Sequence, residues 1–90
     1  SINSQHAKAE AADFECVGVD NAEVADWVRM NCETDQLILE YYTPGEPNSG
    51  WIHASYVPYH PRAQYMRAFR DSETKKTKYL PITGKAVDLV

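Results

Sequence analysis

No apolar run in this 90-residue sequence approaches the ~20 residues needed to cross a bilayer, and its first ten residues, SINSQHAKAE, lack the apolar core of a signal peptide. A soluble domain is therefore expected. Positive charge is also scarce: nine Lys and Arg stand against 13 Asp and Glu, for a net charge of -4 and a pI near 5.2. Neutralising phosphates needs clustered cations, so a nucleic-acid partner is not expected. The one basic cluster, Lys75, Lys76 and Lys78, is interleaved with Thr and preceded by Asp71 and Glu73, which reads as a solvated turn. Cysteine is limited to Cys16 and Cys32, a spacing that fits neither a CxxC redox pair nor a zinc knuckle, so two free buried thiols are expected. There is no internal repeat.

What is present is ordinary globular composition, 43% apolar and 24% charged, at the length of one domain spanning residues 1–90. A chain of this size buries roughly 60–70% of its unfolded surface, enough to fold with little margin. A metal or a partner is the kind of staple such a domain uses.

Residues 12–17 (ADFECV) alternate as a short strand, with Phe14 and Cys16 on one side and Asp13, Glu15 and Val17 on the other. A helix is predicted from Ala22 to Cys32, started by Asp20 with Glu23 three residues later. Val24, Ala25, Trp27, Val28 and Cys32 form its apolar stripe, and Glu23, Asp26 and Arg29 face water. QLILEYY (36–42) and WIHASYV (51–57) read as strands around the turn-rich TPGEPNSG, with Pro58 and Pro61 ending the second. Symmetric closure of that eight-residue loop places Glu40 opposite His53. A second hairpin, roughly 64–70 with 78–82, surrounds the Lys-rich turn. The fold class is α+β: a small antiparallel sheet with one packed helix.

Only three histidines occur, at positions 6, 53 and 60. His60, between Tyr59 and Pro61, reads as a surface loop residue. His6, Asp13 and His53 supply two imidazoles and a carboxylate, a three-ligand set that leaves a fourth zinc position open for water. The competing reading makes His53 a satisfied strand histidine and Asp13 a turn or cap residue. Glu40, beside His53 by the hairpin register, serves either as a general base or as the carboxylate that orients His53. Glu46 reads as a solvated turn residue. Tyr42 and Trp51 either flank the site or belong to the core.

Two segments carry a family resemblance. Ser4, His6, Ala11 and Asp13 match the SxHxxGxAxD signature of the M15 peptidases, the D-Ala-D-Ala carboxypeptidase and phage endolysin family, with Ala9 where that family usually has Gly. Gly50-Trp51-Ile52-His53-Ala54-Ser55 is similar to its W-[VI]-H-x-S strand, which follows an acidic strand such as Leu37–Glu40. The resemblance runs from about Ser4 to Tyr56. It implies a hedgehog/D-Ala-D-Ala-peptidase-like fold, Zn2+ held by His6, Asp13 and His53, and hydrolysis of a peptide bond in the peptidoglycan stem, by a phage or bacterial protein acting at the cell wall. Some members carry an acid three residues before the last His; here Gly50 stands there, which leaves Glu40 as the base. Ser4, Trp51 and Ser55 are the candidate substrate contacts. Relatives also carry an upstream segment with an Arg that resembles a substrate or oxyanion clamp, so the chain reads either as a fragment lacking its N-terminal portion or as a minimal form, and none of Arg29, Arg62, Arg67 and Arg70 takes that role from sequence. The alternative function is a metal-stabilised but catalytically inactive wall-binding or virion structural domain. A third is an α+β interaction module with no metal.

Overall fold

The computed structural model describes residues 10–89, so Ser4 and His6 lie outside the described residues. In chain order come β1 (Glu10–Phe14), α1 (Asn21–Asn31), β2 (Gln36–Glu40), β3 (Trp51–Tyr56), β4 (Gln64–Arg70), β5 (Thr77–Pro81) and a 3-10 turn over Ala86–Asp88. The five strands form one sheet in the order β1-β3-β2-β4-β5. None of the described helices is long and apolar enough to cross a membrane.

The class is α+β, but the sheet is mixed where an antiparallel one was expected, because β4 runs parallel to β2. The cause lies in residues 57–63. They leave β3 at the end where β2 begins and cross to the far side of β2. A strand entering there runs alongside β2 in the same direction. The crossing is pinned by Asp35, buried just before β2: its Oδ1 accepts from Arg62 N and Nε, both at 2.9 Å, and its Oδ2 accepts from Arg62 Nη2 at 2.6 Å. These hydrogen bonds hold the Asp35 carboxyl down at about 2, well below the usual carboxylate range.

Helix α1 begins as its sequence demands, with Asp20 Oδ1 accepting from Ala22 N at 2.9 Å. Asn21, Ala22, Val24, Ala25 and Val28 are its buried residues, and the apolar ones pack with Leu37, Leu39, Ile52 and Ala54 of the central strands. Trp27 is not in that stripe. At about 100° per residue it stands about 130° from the stripe's middle, and it is 62% exposed. Asp26 does not simply face water either, since it accepts from Tyr65 Oη (2.7 Å), Ala86 N (2.6 Å) and Val87 N (3.1 Å), tying β4 and the 3-10 turn to the helix. Burial first, then the bond to Asp26, pushes the Tyr65 phenol far above its ordinary range.

The first strand ends earlier than the alternation predicts. Phe14 closes β1, the chain turns through Gly18 (φ 82), and Cys16 is exposed rather than buried. Cys32 is half-buried, and both thiols are free.

Candidate metal centre

Strand alternation gives the sheet two unlike faces. Leu37, Leu39, Ile52 and Ala54 point to the helix, so Ile38, Glu40, Trp51, His53 and, through the β1–β3 register, Asp13 point to the other side. Antiparallel pairing makes Asp13 the direct partner of His53, although they are 40 residues apart in sequence. Their side chains meet: His53 Nδ1 and Asp13 Oδ1 lie 2.7 Å apart. With its proton on Nδ1 the imidazole donates to the carboxylate and leaves Nε2 with a free lone pair.

Glu40 completes the group. One donor atom from each of Asp13, Glu40 and His53 lies within 4.8 Å of the other two. Two ligands of a tetrahedral zinc ion stand about 3.4 Å apart at the usual bond lengths of 2.0–2.2 Å. The donor atoms would therefore have to rearrange to share one cation. Its chemistry, two carboxylate oxygens and one imidazole nitrogen, accepts zinc and harder divalent cations alike. Asp13, Glu40 and His53 are a candidate metal-binding triad with Asp13 exposed and the other two half-buried.

The route by which Glu40 arrives differs from the symmetric hairpin. Strand β2 ends at Glu40, the connection takes residues 41–50, and the partner of Glu40 is Trp51, while Ile38 faces His53. The pairing has slipped by two residues, which preserves the face because side chains alternate with period two. Glu40 and His53 are thus diagonal neighbours. Backbone geometry at the two loop ends sets the slip: Tyr41 has φ 55 and Gly50 φ 67. The loop is in turn held by the helix start, where Asn21 Nδ2 donates to Ser49 O (3.0 Å) and Gly50 O (3.2 Å), and Asn21 N donates to Pro47 O (2.9 Å).

Trp51 Nε1 donates to Glu40 Oε2 at 2.8 Å, and its ring packs on Tyr41 with centroids 5.4 Å apart. A shallow groove of about 380 Å³, lined by Asp13, Phe14, Glu15 and Trp51, opens beside the triad. Ser55 shares the face but is buried, its Oγ accepting from Gln36 N at 3.0 Å, so β2 engages its hydroxyl. Tyr42 does not flank the site. Its hydroxyl donates to Asp20 Oδ1 on the helix side (2.9 Å), and burial followed by this bond pushes the phenol up to about 12. The carboxylate that contacts His53 is Asp13 and not Glu40. His60 and Glu46 are exposed loop residues, as expected. Sequence reasoning missed Asn21 and Tyr41; an asparagine directly after the Asp20 cap was the available signal for the first, and nothing local marks the second.

Comparison with protein-family models, with curated proteins and with solved structures gives no match to the chain.

Proposed function

We propose that this chain is a zinc-dependent peptidase of the D-Ala-D-Ala carboxypeptidase type, with the hedgehog-like arrangement that goes with it, hydrolysing a peptide bond in the peptidoglycan stem peptide. The observation that carries the reading is the convergence of Asp13, His53 and Glu40, from three strands, on the face away from the helix. Two of the three are the described ligand positions of the motif resemblance, and the third is the acid it leaves as base.

His6, Asp13 and His53 would hold the ion. When bound, zinc acidifies water and polarises the scissile carbonyl. Glu40 takes the proton of the attacking water and returns it to the leaving amine. Trp51 and the groove beside Asp13 offer an aromatic wall and a polar edge for the substrate.

Gly50 bears on the choice between an active enzyme and an inactive relative. A Cβ there would lie 2.1 Å from Glu40 O, so an acid at position 50 does not fit this hairpin. The absence of an acid at position 50 is what favours the inactive domain as the second reading. The test is elemental analysis together with muropeptide cleavage: stoichiometric zinc and turnover that disappears in His6→Ala and in His53→Ala are expected. Full zinc occupancy without turnover would favour the inactive wall-binding or virion domain, and absence of zinc would overturn both.

A further inference from the structure

We propose that Trp51 is the positioning residue of Glu40, holding the carboxylate by Oε2 so that Oε1 alone is presented to the water and cation beside Asp13 and His53. The inference rests on the peptidase reading for its catalytic part and on the geometry alone for the contact. Trp51 Nε1 donates to Oε2 at 2.8 Å, a charge-assisted hydrogen bond. Among the described residues Trp51 is the one side-chain donor to Glu40, and it takes Oε2.

The indole is itself braced. It tilts at 43° on the Tyr41 ring, an arrangement aromatic pairs favour. Tyr41 in turn is fixed at three points: its N donates to Ala68 O at 2.8 Å, its hydroxyl shares a 2.5 Å hydrogen bond with Thr77 Oγ1, and its backbone sits in the left-handed region, φ 55, uncommon for a bulky residue. Strain of that kind persists where the surroundings over-determine it. Here the surroundings are Gly50, whose closeness to Glu40 O and Tyr41 leaves no room for a side chain, and the helix start that grips the Gly50 and Ser49 carbonyls. The line from Thr77 through Tyr41 and Trp51 to Glu40 ties β5 to the end of β2.

A glutamate has three rotatable bonds, and an unheld one near a cation swings between binding it and accepting a proton. Anchoring Oε2 removes that freedom. The proton from water then has one destination, Oε1, from which it passes to the leaving amine. A small misplacement of a reacting group costs about 100-fold in rate, which sets the scale of the effect.

The test uses Trp51→Phe, which keeps an aromatic ring beside Tyr41 and removes the N–H, and Glu40→Asp, which withdraws the carboxylate by one methylene. The chain has two tryptophans, so its amide spectrum holds two indole N–H signals. In the metal-free chain the Trp51 signal is expected at a hydrogen-bonded chemical shift, and to lose that shift in Glu40→Asp. Trp51→Phe is expected to lower kcat about 10- to 100-fold with KM within about 2-fold, in a chain whose thermal midpoint and spectral dispersion match the wild type. A Trp51 indole unaffected by Glu40→Asp, or a Trp51→Phe kcat within about 2-fold of wild type, overturns the proposal. Failure of the wild type to cleave any peptide would overturn the peptidase reading, and the indole measurement would still decide the contact.

Discussion

The Cβ position of Gly50 points into the carbonyl oxygen of Glu40, 2.1 Å away. With φ 67 it also occupies a conformation that glycine alone enters freely. Gly50→Ala is therefore expected to lower stability by at least about 2 kcal/mol and to shift the β2–β3 register or open the loop. Urea titration checks the first expectation. An unchanged midpoint would mean the hairpin closes some other way.

The Asp35–Arg62 contact gives a pH dependence of definite sign. The folded-state value near 2 lies below the ordinary 3.8, so the contact stabilises the fold fully above about pH 4 and ceases to do so as pH falls towards about 2. Arg62→Met, which leaves Asp35 without its guanidinium, is expected to unfold more easily than wild type near neutral pH. The gap should narrow steadily below about pH 4. Urea midpoints across that range measure it, and a gap independent of pH would contradict it.

Asp26 is expected to matter far more than a solvated helix residue. Asp26→Ala strands the buried Tyr65 hydroxyl and two backbone N–H groups of the 3-10 turn. The expected cost is about 1–3 kcal/mol, with amide exchange at Ala86 and Val87 accelerating before that of the strands. Uniform acceleration would show that the turn is not separately held.

A divalent cation should stabilise the chain through Asp13 and His53. At a free concentration about 100 times the dissociation constant the gain is about 2.7 kcal/mol, and chelation should remove it. His53→Ala and Asp13→Ala should abolish most of the zinc-induced rise in thermal midpoint. A rise that survives both changes would place the ion elsewhere.

Legibility varied by element. The helix was readable because its cap and its 3.6-residue period are local: Asp20 does accept from Ala22, and Ala25 and Val28 are buried. Trp27 is the exception: it is apolar, but its place in the helical period turns it to solvent. The strands 36–40 and 51–56 and the later hairpin were readable from composition and turn residues. Parallel pairing of β4 with β2 was not, since it follows from where residues 57–63 cross and from a buried carboxylate that grips Arg62. Similarly, Asp13 and Glu40 were legible as candidate partners of His53, but which of them meets it was decided by two separate registers.

By itself the sequence determined which strand residues share a face, because strand alternation is a property of the backbone with period two. A slip of two residues therefore left Glu40 on the face of His53. The tertiary structure decided contacts: Asp13 with His53, Glu40 with Trp51, and the ten-residue loop that makes both compatible. Those depend on register, and register was set by a left-handed tyrosine, a glycine with no room for a side chain and an asparagine reaching from a helix, whose combined effect no local pattern contains.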